Sequence, residues 1–413
     1  MIKEIIERPF ARPLFLFVSG IIIAVYFHGK YILAALLLLA SAIVLLCSYF
    51  RKNSCPDYNS RFMWGILFSL LLLFISIVYT DIRLSLPEGG ISDLQNYALT
   101  ARKNLVASFS NLDVQEKERS VLATLVLGDR ESMSRELTNS FSAAGVVHIL
   151  SVSGFHVAVL YMILSRLFSL FGKMGVVRVL DFVSMMLCVW GFTFVSGSDS
   201  PTVRSALMIT LFSFGNLIRR DVDGYNVWAA SAFFMLLYNP FFLFDIGFQL
   251  SYLAVFSIQF FYSRIKNFIR ITNPLLSAFW NGTALTLAAQ VATMPLCMYY
   301  FREVPWVFIF TSVPVSWLSS CLIPLGLLWV TADKLNIYVP YLSELTEWTV
   351  NAIITLVEMF ADVPKFRIVF DEAMLFLSYI LLALLVIYIK YKNNKILLLC
   401  LFILFFMGLL CLR

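Results

Sequence analysis

Long apolar stretches separated by short polar turns run through almost the whole chain. A helix needs about 20 apolar residues to cross the hydrocarbon core of a membrane. The stretches are continuous rather than alternating, which favours helices over a transmembrane barrel. The pattern predicts an all-α polytopic membrane protein with roughly ten to thirteen transmembrane or re-entrant helices. The clearest stretches are residues 14–27, 31–50, 62–80, 146–171, 176–195, 202–218, 226–238, 241–262, 275–300, 374–389 and 396–411.

Composition agrees with this pattern, since 60% of the 413 residues are hydrophobic and only 14% are charged. The net charge of +6 is explained by basic residues beside anionic lipid headgroups. The seven cysteines form no C-x-x-C pair, and we interpret them as small apolar side chains. We therefore expect no metal and no cofactor.

Basic residues flank the first two apolar stretches, and such residues favour the cytoplasmic side. They predict a multi-pass membrane protein with a cytoplasmic N-terminus and an extracytoplasmic C-terminus. Three parts follow: a three-helix membrane segment at 1–80, a small helical extracytoplasmic region at 81–144, and a membrane domain at 145–413. The basic residues are Lys3, Arg8, Arg12, Arg51, Lys52 and Arg61.

The region 81–144 contains one clear amphipathic pattern. Ser92 and Gln95 resemble a capping box at the start of a helix. Apolar residues then recur at helical spacing as far as Leu112, and we place Arg102 and Lys103 on the opposite, polar face. Two interpretations stay open: a helix lying in the membrane interface, or an ordinary helix packed on the membrane domain.

Two histidines, two serines and a glycine lie within the apolar stretch 146–171. Polar groups at membrane depth are costly and usually face a bundle interior or a cavity, so this segment is a candidate site. On one continuous helix the histidines would be about 12 Å apart, too far to share a metal. Serine–histidine pairs at a spacing of three make hydrolysis conceivable, although no G-x-S-x-G elbow is present. Pore lining and interhelical hydrogen bonding are the other interpretations. The residues are His148, Ser151, Ser153, Gly154 and His156.

A second polar group precedes the stretch 202–218. Ser200 as N-cap and Pro201 at the first helical position predict a helix start. Arg204 would then oppose the helix dipole. We expect Asp199 to compensate it, or else Arg204 and the helix terminus to bind a phosphate.

Polar residues also mark two later helices. Thr283, Thr286, Gln290 and Thr293 fall on one helix face, before Pro295 kinks or ends the helix. Either pore lining or interhelical hydrogen bonding explains them. Asp245 and Gln249 lie one turn apart near the start of 241–262.

The stretch 303–331 is interrupted by Pro305, Pro314 and Pro324. These prolines predict a broken or re-entrant element that lines a cavity. In a secondary transporter, such an element would form the substrate site.

Residues 145–157, GVVHILSVSGFHV, resemble the signature of the ComEC-type competence proteins. Four weaker blocks follow the same family pattern: LGDR at 127–130, SPTVRSA at 200–206, GFQLS at 247–251 and ATMPL at 292–296. The resemblance implies an inner-membrane channel that passes one strand of transforming DNA into the cytoplasm. The resulting candidates for the DNA path are His148, Ser151, Ser153, Gly154, His156, Arg204, Asp245, Gln249, Thr286, Gln290 and Thr293.

The chain departs from the fullest family pattern in two respects. Residues 81–144 are short and helical instead of OB-like, and no H-x-H-x-D-H motif of a metallo-β-lactamase-like domain occurs. We therefore expect the chain not to be an enzyme and a separate protein to supply the nuclease. No G-x-x-x-x-G-K-[ST] loop occurs, so a cytoplasmic ATPase or helicase would supply energy. A DNA-receptor protein is a further expected partner.

Two alternatives remain beside the channel. One is a secondary transporter of a small solute or lipid. The other is an intramembrane hydrolase or metalloenzyme that uses His148, Ser153 and His156.

Overall fold

The computed structural model describes residues 8–27, 36–37, 39–41, 43–44, 47, 58–85, 93–150, 154–168, 175–304, 307–337, 339–361, 363, 366–367 and 370–411. The predicted all-helical architecture is confirmed for these residues. Their only β structure is one antiparallel pair of two-residue strands, β1 (Glu303–Val304) and β2 (Phe366–Arg367). Short 3-10 turns cover Ala107–Asn111, Val147–Ile149 and Pro240–Phe244.

The α-helices follow the apolar stretches of the sequence. In chain order they are α1 Ala11–Tyr26, α2 Tyr58–Ser85, α3 Asp93–Val106, α4 Glu116–Leu127, α5 Arg135–Ala143, α6 Gly154–Phe168, α7 Gly175–Val195, α8 Ser200–Leu217, α9 Gly224–Tyr238, α10 Ile246–Lys266, α11 Pro274–Phe301, α12 Phe308–Lys334, α13 Pro340–Ala361, α14 Glu372–Tyr391 and α15 Asn394–Cys411.

Five of the described helices contain segments long and apolar enough to cross a membrane. They are Trp64–Ser85, Arg178–Val195, Pro274–Phe301, Phe310–Lys334 and Glu372–Tyr391. The chain is therefore a multi-pass membrane protein. The predicted total of ten to thirteen spans, the three-part division of the chain and the orientation in the membrane stay predictions.

The chain forms two compact units. The first combines Met1–Asp93 with Thr210–Phe248. Within it, α1 and α2 are in close contact: a Cβ atom added at Gly20 would lie 2.6 Å from Ser76 Cβ. The Ser76 hydroxyl donates to the carbonyl oxygen of Phe17 at 2.7 Å. The ring of Phe17 in turn packs edge-on against Phe233 of α9, with centroids 5.3 Å apart. Small residues therefore set the distance between the two N-terminal helices.

The second unit combines Leu94–Ile209 with Gln249–Arg413. Helix α4 lies at the centre of its apolar core, and residues from α12 and α13 complete that core. A Cβ atom added at Gly326 of α12 would lie 2.5 Å from a methyl carbon of Val126, so the backbone of α12 packs closely against the Val126 side chain of α4. Polar contacts fix the same helices to the turn after α3. Trp329 Nε1 donates to the Ser108 carbonyl oxygen at 3.1 Å, and Asn111 Nδ2 donates to Asp333 Oδ1 at 2.7 Å.

In the same unit α11 packs against three neighbours. The Ser257 hydroxyl of α10 donates to the carbonyl oxygen of Ala288. The Tyr379 hydroxyl of α14 donates to the carbonyl oxygen of Ala292 at 3.1 Å. On a third side, a Cβ atom at Gly282 would approach a methyl carbon of Val313 in α12 to 3.1 Å. The helix that carries the polar stripe is thus held on several sides.

The structure corrects two expectations about helix continuity. The stretch 146–171 is not one helix, because Gly145 has a φ of +76°, a 3-10 turn follows, and α6 begins only at Gly154. Conversely, Pro314 and Pro324 do not break the chain as predicted, because both lie inside the continuous helix α12, which begins at Phe308. Pro305 lies outside the described residues. Pro295 likewise lies inside α11 and does not end it. Proline removes one helical hydrogen bond, and packed neighbours can compensate for that loss in a membrane helix.

The amphipathic helix near residue 92 is present but shorter than predicted. Helix α3 ends at Val106, and the apolar residues beyond it lie in a 3-10 turn and the following loop. Arg102 is buried, which contradicts its predicted place on a polar outer face. Ser92, the predicted cap, lies outside the described residues.

Candidate functional site

The start of α6 meets the first turns of α8. A Cβ atom added at Gly154 would lie 2.5 Å from Ser205 Oγ. Only a glycine allows so close an approach at this position. The Ser205 hydroxyl donates to the carbonyl oxygen of Pro201 at 3.0 Å, within its own helix. Two of the sequence blocks, 145–157 and 200–206, are therefore in direct contact.

Among the described residues, Arg204 is the largest side chain that is almost completely buried, with 1% of its surface exposed. Its Nε donates to Ser251 Oγ at 3.0 Å, and its Nη1 donates to Ser200 Oγ at 2.7 Å. A buried guanidinium is stable only when hydrogen bonds replace its hydration. The bond to Ser251 joins α8 to α10 within the second unit and brings the GFQLS block beside the other two.

Asp199 does not have the predicted role. Its ion pair within the described residues is with Arg130, at an Nη2–Oδ2 distance of 3.9 Å, and not with Arg204. Ser200 also differs from the predicted N-cap: it is the first helical residue, and its hydroxyl accepts from Arg204. Two hydroxyl groups thus accept hydrogen bonds from the arginine, whereas the Asp199 carboxylate is 43% exposed and pairs with Arg130.

His156 is fully buried, with no exposed surface. Its imidazole forms a hydrogen bond to the backbone of Leu125 in α4. Because the two histidines are on separate elements, the 12 Å separation calculated for one helix does not apply. His148 is exposed, and Ser151 and Ser153 lie outside the described residues. Among the described side chains, no three His, Cys, Asp or Glu residues are placed to hold a metal.

Arg102 belongs to this region, although the sequence pattern predicted a polar outer face for it and not a place among the site residues. It is 8% exposed, and its Nη1 donates to the carbonyl oxygen of Gly128 at 3.3 Å. A Cβ atom at Gly197, whose φ is +99°, would lie 3.0 Å from the same nitrogen. Arg102 has helical spacing from Ala98 and Phe109, both buried, and this spacing was the available signal. It brings the LGDR block and the turn before α8 together.

The polar residues Thr286, Gln290 and Thr293 form a stripe along one face of α11. Thr286 and Thr293 donate to carbonyl oxygens four residues back in the same helix, at 3.1 and 3.0 Å. Thr293 Oγ1 is also 3.5 Å from Gln290 Oε1. The threonines therefore do not need a neighbouring helix to satisfy their hydroxyl groups.

The two candidates around the start of α10 differ in setting. Asp245, in the first unit, accepts a hydrogen bond from the Phe248 backbone N–H at 2.7 Å and so caps α10. Gln249, in the second unit, is half-buried on that helix. Capping is a sufficient structural reason for an acidic residue at position 245.

Helices able to cross a membrane define the chain as a multi-pass helical membrane protein. Within its second unit, Gly154, Arg204 and Ser251 mark a buried polar junction where the sequence blocks meet. Residues 125–395, about two thirds of the chain, match the family described as Competence protein. The chain belongs to that family.

Curated relatives agree with this membership. The chain is 27% identical over 308 residues to ComE operon protein 3 of Bacillus subtilis (strain 168). The aligned residues cover 71% of this chain and 37% of the relative. It is 24% identical over 219 residues to Competence protein ComA of Neisseria gonorrhoeae, covering 50% of this chain and 30% of the relative. The chain thus spans about a third of the length of the curated relatives it matches. No solved structure matches it.

Proposed function

We propose that this protein takes part in DNA uptake during natural transformation, as an inner-membrane channel that passes a single strand into the cytoplasm. The observation that carries the proposal is the meeting of family blocks in one place. Arg204 Nε donates to Ser251 Oγ at 3.0 Å, and Gly154 packs against Ser205, the residue next to Arg204, so three separate blocks meet. These residues are distant in sequence but meet at one buried junction, which indicates a common role.

The junction and the path have different roles in this proposal. Arg204 and His156 are buried, so they hold α4, α6, α8 and α10 in position and do not line water. The half-buried residues Gln249, Thr286 and Gln290 are better placed to contact a strand. A strand carries one negative charge per nucleotide, so a conduit needs weak and repeated polar contacts instead of fixed carboxylates.

The channel is not itself an enzyme in this proposal and depends on other proteins. A cytoplasmic ATPase or helicase supplies the energy, a receptor delivers the DNA, and a separate nuclease removes the other strand. The transporter alternative has lost its main argument, because α12 is continuous where a broken element was expected.

Deletion of the gene in a naturally competent host tests the proposal. Fluorescent DNA should still bind the cell surface, while the fraction inside the cytoplasm should fall to background and return on complementation. Normal transformation of the deletion strain would overturn the proposal. Solute flux in vesicles without a DNA phenotype would favour the transporter, and turnover abolished by His156→Ala would favour the enzyme.

A path residue can be tested in the same strain. Gln290→Leu removes the amide from the α11 stripe and should lower DNA entry at least several-fold, whereas Gln290→Asn, the matched control, retains the amide and much of the entry. Both variants should reach the membrane in normal amounts. Equal uptake by the two variants would exclude Gln290 from the path.

A further inference from the structure

The turn between α10 and α11 forms an open cavity of about 230 Å³. Two cationic side chains, Lys266 and Arg270, line it together with the hydrogen-bonding groups of Ser277 and Asn281. No aspartate or glutamate occurs anywhere in residues 263–281. The cavity is therefore a concave, cationic site without a local counter-charge in the sequence around it.

The backbone of this turn is held in shape. Trp280 Nε1 donates to the carbonyl oxygen of Lys266 at 2.9 Å and so fixes the end of α10 against the start of α11. Asn273 caps α11 by accepting from the N–H groups of Leu275 and Leu276 at 3.0 and 3.3 Å. The first helical N–H groups are thus already used, and the binding capacity of the cavity lies in its side chains.

The surroundings of the cavity are apolar and exposed. Phe268 is 86% exposed beside it, and Leu275 and Leu276 are also exposed. The segment Pro274–Phe301 is long and apolar enough to cross a membrane, so we expect its first residues where hydrocarbon meets water. Tryptophan favours that depth, and Trp280 is half-buried there. A cationic cavity ringed by apolar side chains at this level suits a ligand with a phosphate and acyl chains.

We infer that this cavity binds the headgroup of an anionic phospholipid, with Lys266 and Arg270 on the phosphate and Ser277 and Asn281 on its ester or glycerol oxygens. Exposed Phe268 and Leu275 contact the acyl chains. Basic pockets between membrane helices recognise acidic lipid headgroups by this chemistry. The inference does not depend on DNA transport, so either can fail alone.

Native mass spectrometry of the purified full-length chain, released from detergent micelles, tests the site. The protein is titrated with dioleoyl-phosphatidylglycerol and, in parallel, with dioleoyl-phosphatidylcholine. The variant Lys266→Gln/Arg270→Gln should bind phosphatidylglycerol about tenfold to thirtyfold more weakly, since each basic group near an acidic lipid contributes about fivefold. Phosphatidylcholine binding should not change.

The matched control is Lys390→Gln/Lys395→Gln, which removes two positive charges at the turn between α14 and α15. It should bind phosphatidylglycerol as the unmodified chain does. Equal weakening in both variants would overturn the inference, because the effect would then follow net charge. If the test variant does not purify as folded protein, Arg270→Gln alone should show about a fivefold loss, and no loss would overturn the inference.

Competition separates the possible sources of the phosphate. Inorganic phosphate at millimolar concentration should not displace bound phosphatidylglycerol, because it lacks the acyl chains. A single-stranded oligonucleotide should not displace it either. Displacement by inorganic phosphate would indicate a general anion site, and displacement by the oligonucleotide would indicate a DNA contact; either result would overturn the lipid inference.

Discussion

A methyl group added at Gly154 should disturb the junction between α6 and α8. The new Cβ atom would lie 2.5 Å from Ser205 Oγ, closer than such atoms normally approach, and 3.5 Å from Ser205 Cβ, an ordinary contact. The clash can be removed in two ways. Ser205 can turn away from the Pro201 carbonyl oxygen, and loss of that hydrogen bond costs about 0.5–1.5 kcal/mol. Alternatively the helices can move apart, and overpacking of this kind costs about 1–3 kcal/mol. Alanine gains at most about 1 kcal/mol in helix propensity over glycine. We expect Gly154→Ala to lower stability by about 1–2 kcal/mol.

Thermal unfolding of detergent-purified protein, followed by the loss of its monodisperse size-exclusion peak, measures this effect. Ser205→Ala removes the clashing oxygen at small cost, so the double variant Gly154→Ala/Ser205→Ala should recover most of the lost stability. Gly191→Ala is the matched control, because nothing lies within 4 Å of its added Cβ atom, and it should unfold at or above the temperature of the unmodified chain. The contact argument is wrong if Gly154→Ala and Gly191→Ala behave alike, or if the double variant is no more stable than Gly154→Ala.

Three further substitutions use the same unfolding measurement. Gly20→Ala should destabilise the chain by about 1–3 kcal/mol, because its Cβ would also lie 2.8 Å from a backbone carbonyl oxygen. Gly65→Ala is its control and should be neutral, since nothing lies within 4 Å of the added Cβ. Similar values for both variants would contradict the α1–α2 contact. Gly326→Ala should be destabilising by a similar amount and partly rescued by Val126→Ala, which still leaves an atom at 3.3 Å; absence of any rescue would argue against this contact. Arg204→Lys keeps the charge but loses the fork that reaches two serines, so we expect a loss of about 1.5–3 kcal/mol, and unchanged unfolding would show that those bonds are dispensable.

The helices themselves were largely predictable from the sequence. The stretch 176–195 became Gly175–Val195, and 275–300 became Pro274–Phe301. Hydrophobic runs and caps are local signals, so their boundaries can be inferred without knowledge of the packing. Proline misled the prediction at 303–331 because the tolerance of a helix for proline depends on neighbours that are distant in sequence.

Partners of buried charges could not be predicted in the same way. Asp199 was the obvious choice for Arg204 because it is near in sequence, yet Ser251 lies 47 residues away and bonds to the guanidinium. Arg102 was assigned to a polar face on residue type alone, although its spacing from Ala98 placed it on the buried one. Residue type predicts that a charge needs a partner, whereas only the fold determines which partner it has.

The division between junction and path determines how uptake phenotypes should be interpreted. Loss of DNA entry after replacement of Arg204 would not identify a path residue, because removal of the buried guanidinium also removes the hydrogen bond between α8 and α10. Gln290 differs, since it is half-buried on a helix that Ser257 and Tyr379 hold independently. A Gln290→Leu variant that unfolds normally but fails to admit DNA would therefore place α11 on the conduit. Loss of both stability and DNA entry would instead show that Gln290 has a structural role.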